Sequence, residues 1–269
     1  MNFRNSPSRL LRGGLFSFVL PFLLLLLSSN ASHAQFKFRE APNREDPSVL
    51  SEEDGERVWH AFLLGREVGR FALSGTLVHR PPDRSSESYG FHLDGNWSFA
   101  GERSTITLKP INGRPIVRES VVLPEGVFLP AEDDAGNRVM ERLSTEQLHE
   151  PFMDLLPVTW QDLLMPYLHW ERRVYLGPER HLGRPAHRFA LFNPEKEAFP
   201  SKVVVTVDED YAALLKASLF DFDGNLVKRV RVGGFGKFAG EWMFNEINWE
   251  LRPTRESLKL VVDSFSLLP

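Results

Sequence analysis

The chain has 269 residues, no cysteine and a formal charge of −4, with 42% hydrophobic residues. Without cysteine there are no disulfides and no lipid-modified N-terminal Cys, so the fold must be stabilised by burial alone. There is neither a basic tail nor a long like-charge block, which argues against nucleic acid and against electrostatic docking to an anionic membrane.

The first residues have the character of a processing segment. Arg4, Arg9 and Arg12 form a positive start, and Leu15 to Leu27 is apolar except for Ser17 and Pro21. Ser32-His33-Ala34 then offers small residues where a signal peptidase reads, placing cleavage before Gln35. The apolar run is shorter than the roughly 20 residues that span a bilayer, so a signal peptide (1–34) is preferred over an anchor. Its removal leaves 235 residues with a formal charge of −7, three arginines having departed. The polar, proline-containing stretch that follows makes 35–50 a linker, and 51–269 is read as a single domain.

Ser51 with Asp54 three residues on is a capping box, with acids at the positive end of the helix dipole. Val58, Ala61, Phe62, Leu63 and Leu64 then recur at helical spacing up to about Gly65 or Val68. This helix either packs on the core or closes a hollow; periodicity fixes a buried stripe and not what lies beneath it. Phe71 to His79 alternates as a strand, with Phe71, Leu73, Gly75 and Leu77 on one face, and Pro81-Pro82-Asp83 ends it. Glu87–Phe99 and Glu102–Lys109 form a hairpin turning at Ala100-Gly101. Asn112-Gly113 turns the chain again before a strand over Ile116–Val122, and the charged stretch from Glu132 to Arg138 is a loop.

From Ser144 to Trp170 the period changes. A helix-like stretch begins at Ser144 and is cut into short pieces by Pro151, Pro157 and Pro166. Thr159 and Asp162 repeat the capping-box pattern. The segment is dense in large apolar residues, among them Phe152, Met153, Trp160, Leu163, Leu164, Tyr167 and Leu168. Short broken helices of this kind plug, cover or line something, or else connect two halves of a sheet.

An antiparallel meander follows, with strands at Arg172–Leu176, Pro185–Phe192, Lys202–Asp208, Leu214–Asp221, Leu226–Val232, Glu241–Leu251 and Ser257–Asp263. Asp223-Gly224 is a strong hairpin signal. In the Glu241–Leu251 strand, Met243, Ile247, Trp249 and Leu251 share one side by alternation, and Trp242 and Phe244 the other. A sheet with one wet face alternates more cleanly. Both faces are therefore covered, or one awaits an apolar ligand.

Catalytic patterns are missing. There is no Gly-x-Ser-x-Gly elbow. Pro151 spoils His149-Glu150 as part of a zinc-binding helix. His60, His79, His92, His169, His181 and His187 are scattered and read as surface or satisfied residues. Asp221 to Asn225 has its glycine misplaced for a calcium loop and reads as a turn. The cluster Asp208-Glu209-Asp210 reads as a solvated hairpin tip. Gly233 to Gly240 lacks the Ser or Thr of a phosphate loop and reads as a wide turn or bulge.

Over Thr159 to Val262 the order of pieces resembles the periplasmic outer-membrane lipoprotein-sorting proteins. The matching pieces are Asp162-Leu163-Leu164 before a strand with Trp170, then Gly183–Leu191, Asn193-Pro194, Val203–Asp208, Leu215–Gly224, Leu226–Lys228, Trp242 and the strand from Pro253-Thr254 to Val262. The resemblance implies a mainly β (α+β) fold: a strongly curved antiparallel sheet forming an unclosed barrel, with short helices covering its concave face. It also implies a non-enzymatic, cofactor-free monomer that carries the acyl chains of a lipoprotein or another lipid through the periplasm. Such a carrier receives its load from an inner-membrane transporter and passes it to an outer-membrane receptor. Arg57, Arg66 and Arg70 each fit the family's lid-closing basic residue.

An acyl chain in water costs about 0.8 kcal/mol per exposed CH₂. A cover that fills the hollow when empty and swings out when loaded would offset that cost and still permit release. Trp160, Leu163, Leu164 and Leu168 are assigned to the cover, and Leu219, Met243, Ile247 and Trp249 to the sheet wall; alternation leaves open which face is concave. Two other readings stand beside the carrier: a non-enzymatic periplasmic sensor or scaffold on the same fold, and, with least support, a hydrolase.

Overall fold

A computed structural model describes residues 50–269 apart from 65–68, 99–100, 124–125, 145, 154–155, 196–198 and 239. The signal peptide, nearly all of the linker, Arg66 and the turn residue Ala100 lie outside the described residues.

Among the described residues, thirteen strands build one antiparallel sheet. They are β1 (Gly69–Arg80), β2 (Glu87–Ser98), β3 (Gly101–Pro110), β4 (Ile116–Leu123), β5 (Gly126–Glu132), β6 (Arg138–Arg142), β7 (Arg173–His181), β8 (Arg184–Phe192), β9 (Lys202–Asp208), β10 (Leu214–Phe220), β11 (Leu226–Phe238), β12 (Glu241–Leu251) and β13 (Glu256–Leu268). Their order across the sheet is β6-β5-β4-β3-β2-β1-β13-β12-β11-β10-β9-β8-β7. Two meanders, each of consecutive hairpins, are thus joined where the first strand meets the last. That seam runs from Arg70 opposite Leu268 to Arg80 opposite Ser257. It brings the backbones close: a Cβ on Gly75 would stand 2.2 Å from the Val261 carbonyl oxygen. Glycine is the residue that allows this approach.

The sheet's two edges are β6 and β7, neighbours in sequence. The barrel is open between them, and the chain crosses that opening as a 3₁₀ turn (Gln147–His149), a short helix α2 (Trp160–Leu164) and a second 3₁₀ turn (Pro166–His169). The other helix, α1 (Glu52–Leu64), lies over β7, β8 and β9. Both helices start as their sequences dictate. The Asp54 amide donates to the Ser51 hydroxyl at 3.1 Å, and the Ser51 amide returns the bond to the Asp54 carboxylate at 2.9 Å. Thr159 and Asp162 repeat the box at α2.

Alternation places the inner face. In β1, Phe71, Leu73, Gly75, Leu77 and His79 are buried while their neighbours are half-exposed. The cross-strand row Phe189, Val205, Ala217, Val230, Trp249 and Leu258 continues that face through the second meander. All six except Ala217 are large enough to contribute on the order of 1.5–3 kcal/mol each on burial, and all sit in one core cluster.

Several local readings are corrected. The buried stripe of α1 is Gly55, Val58, Trp59 and Phe62, whereas Ala61 is exposed. Strands β5 and β6 are absent from the sequence reading because β5 contains Pro130 and β6 is exposed along its whole length, so neither alternates. Of the two readings of the glycine-rich stretch, turn or bulge, the structure has the bulge: Gly233–Phe238 is the irregular second half of β11. Register steps there, with Asn245 left without a partner on β11, reset the alternation in β12. Met243 and Phe244, adjacent in the strand, are both buried in the core that holds Ile247 and Trp249, so a two-residue period does not sort them. Of the three acids expected at a solvated hairpin tip, Asp208 is instead fully buried and paired with Arg184, while Asp210 stays partly exposed. The Asp221–Asn225 stretch is the expected turn, with Gly224 at φ +80° and Asp221 accepting from the Asn225 amide.

Candidate functional site

The inner face of the second meander is an apolar wall, and the proline-broken segment between β6 and β7 is a stopper set against it. Leu219, Met243, Ile247 and Trp249 are each 3% exposed or less. From the stopper, Phe152, Met153, Leu156, Val158, Trp160, Met165, Tyr167 and Leu168 are buried in the same cluster. Trp160 and Leu168 of the expected cover and all four expected wall residues are thus buried in one extended core. Leu163 is partly buried against that core, and the side chain of Leu164 lies outside the described residues.

Aromatic rings within the stopper pack on one another. Trp160 stands edge-on to Phe152 at 5.9 Å, and Tyr167 to Trp170 at 6.2 Å. A groove of about 380 Å³ does exist, but it lies among β3, β4 and β6, lined by Arg103, Thr105, Glu119, Val121, Arg138 and Met140. None of the residues assigned to cover or wall lines it.

α1 closes the neighbouring part of the inner face. The Trp59 ring lies tilted against Phe189, centroids 4.9 Å apart, with the Arg173 guanidinium 4.9 Å above it. Gly55 lets the helix settle closely: a Cβ there would come within 2.6 Å of the Tyr175 ring. A hydrogen-bond chain fixes its N-terminal end. The Tyr175 hydroxyl reaches the Ser51 carbonyl at 3.2 Å and the Nδ1 of fully buried His187 at 3.0 Å; His187 contacts Glu209 in turn. Burial, then Asp54 and Glu209, push the Tyr175 phenol above its ordinary value. Arg57 binds Glu209 at 2.7 Å and Asp54 at 3.3 Å, and these carboxylates raise its pKa. Of the candidate lid residues, Arg57 therefore pins α1 to the β9–β10 turn, and Arg70 donates to the Pro269 carbonyl.

The polar tie between stopper and wall is one that sequence reading missed. Lys228 in β11 pairs across the sheet with Leu219 and Leu251, on the face that carries Val230 and Val232. Its ammonium meets the Asp162 carboxylate of α2 at 2.5 Å, with the two side chains 10% and 2% exposed. The same carboxylate oxygen accepts from the Thr159 amide at 2.8 Å and the Thr159 hydroxyl at 3.0 Å. The signal was present: Lys228 shares parity with Val230 and Val232 on an otherwise apolar face. The fully buried Tyr167 hydroxyl nearby has no hydrogen-bond partner among the described residues, and burial followed by the Asp162 charge raises its pKa far above the usual phenol value.

A sheet of this order, open between edges that bracket a helical stopper, has solved counterparts. A family protein of the DUF1329 type from Desulfovibrio piger superposes with a TM-score of 0.61 at 14% identity, covering 80% of this chain and 92% of that one. A LolA-superfamily protein from Nitrosomonas europaea gives 0.56 at 15%, over 82% and 94%. A domain from Vibrio parahaemolyticus, provisionally named for outer membrane lipoprotein sorting, gives 0.56 at 15%, over 80% and 91%. The chain shares the fold of these three proteins. No family model and no curated protein matches its sequence. The resemblance seen in Thr159–Val262 thus extends, at the level of fold, across both meanders. No cluster of three or more His, Asp or Glu side chains fit to hold a metal occurs among the described residues.

Proposed function

We propose that the protein is a periplasmic carrier that takes acyl chains of a lipoprotein or another lipid onto the inner wall of the sheet once the stopper has been displaced. The observation that carries this reading is how the wall is covered. Leu219, Ile247 and Trp249 share their core with short, proline-broken pieces of chain, and the described strands form one sheet with no second sheet laid against it. Those pieces are anchored at the two sheet edges, so they can leave the wall without breaking a strand ladder. An acyl chain that replaces them restores the lost burial at about 0.8 kcal/mol per CH₂. Transfer between an inner-membrane transporter and an outer-membrane receptor would fit such a carrier.

The test is uptake of a fluorescent fatty-acid analogue by the purified monomer, with mass spectrometry of lipids co-purified from the periplasm. Trp249→Glu puts a charge on the wall and should abolish uptake. The shared core of stopper and wall favours one competing reading, a sensor or scaffold that binds a protein partner. A folded monomer that takes up no acyl ligand, and carries none when isolated, would establish that alternative.

A further inference from the structure

We infer that the ligand of the inner wall is an anionic amphiphile, with its carboxylate or phosphate held by Lys228; this rests on the carrier reading above. The argument is an asymmetry between the two ends of one ion pair. When the stopper leaves the wall, Asp162 travels with α2 and keeps both of its bonds from Thr159, which belong to the same segment. Lys228 stays on β11, and Asp162 is its only charged partner among the described residues. Displacement therefore exposes a cation set in an apolar wall, beside Leu219, Val230 and Leu251. An ammonium left there without an anion is strongly disfavoured. A neutral acyl chain fills the volume but leaves that charge unmet. An amphiphile with an anionic head fills the volume and replaces the Asp162 carboxylate at Nζ. The closed form thus contains a stand-in for its own ligand: apolar stopper residues for the chain and Asp162 for the head.

The inference is tested by displacing a neutral fluorescent acyl probe with three competitors of equal chain length: dodecanoate, dodecyl phosphate and dodecanol. A charge-assisted hydrogen bond in a partly dry site predicts that at least one of the two anions binds about tenfold or more tightly than dodecanol. Which of them does so identifies the head as carboxylate or phosphate. The anion-to-alcohol ratio is the readout, because the cost of opening the stopper cancels from it. Lys228→Met should bring the ratio close to one, while Asp162→Asn, which keeps the wall cation, should preserve it and tighten all three competitors. Equal binding of anions and alcohol by the wild type overturns the inference and leaves the carrier reading intact. A preference that survives Lys228→Met, or is lost in Asp162→Asn, also overturns it. Failure of all acyl compounds, probe included, to bind overturns the carrier reading itself.

Discussion

Replacing Asp162 by alanine should be far more damaging than removing the helix cap it belongs to. The Asp162–Lys228 contact is 2.5 Å long, and its two side chains are only 2% and 10% exposed. Removing one member of a buried pair leaves the other charge uncompensated, a loss of about 3–5 kcal/mol. Thr159→Ala removes only the hydroxyl half of the capping box and leaves the ion pair in place, a loss of about 1 kcal/mol. In a domain of this size each kcal/mol moves the melting temperature by about 2–4 °C. Asp162→Ala should then melt roughly 6–20 °C below the wild type, and Thr159→Ala roughly 2–4 °C below it. Because the stopper is held to the wall and not built into the sheet, part of the Asp162→Ala loss should register as protease cleavage within 144–172 before the strands unfold. Calorimetry and limited proteolysis of the two variants side by side are the assay. If they match in both melting and cleavage, Lys228 is solvated and the tie does not exist.

Other perturbations have defined outcomes. Gly75→Ala drives a Cβ against the Val261 carbonyl, backbone that cannot swing aside; a loss of about 1–3 kcal/mol in urea unfolding is expected. Gly90→Ala, whose Cβ would find its nearest atom at an ordinary 3.5 Å, should stay within about 0.5 kcal/mol of the wild type. The Ser51 amide and hydroxyl, then Arg57, hold the Asp54 carboxyl down at about 2. The unfolded chain takes up this proton nearer the ordinary carboxylate value, so the cap on α1 contributes fully above about pH 4 and is lost as the pH falls toward about 2. The melting difference between wild type and Asp54→Asn should accordingly shrink across that interval. Arg138 and Glu119 pair on the surface with 64% and 47% of their side chains exposed; Arg138→Ala should change stability by less than about 1 kcal/mol and leave acyl-probe uptake unaltered.

What could be read from the chain without coordinates was whatever is local. The Ser51–Asp54 and Thr159–Asp162 boxes are set by residues three apart, and the alternation of β1 needs no partner strand to be visible. The Asp162–Lys228 tie joins residues 66 apart, and only the parity of Lys228 with Val230 and Val232 hinted at it. The side on which Phe244 lies depends on bulges in the β11–β12 ladder, which a strict two-residue period cannot foresee. Trp59 and Ala61 both fit a helical spacing, so periodicity does not choose between them; the close seat of Gly55 on Tyr175 turns the Trp59 side of the helix inward. The wall and the stopper were legible as two apolar stretches. That they share one core is tertiary information.

The pairing of β1 with β13 has a consequence for how the protein is made. Arg70 finds its partner Leu268 almost two hundred residues later, so the central ladder cannot close until nearly the whole chain is available. Each meander can assemble early from neighbouring hairpins, but docking the two halves must bring the slow, non-local step. A chain cut short before Glu256 would hold two half-sheets, each with a bare edge open to other molecules. The last strand acts as a zip: it covers the inner edges of β1 and β12, which would otherwise stay bare.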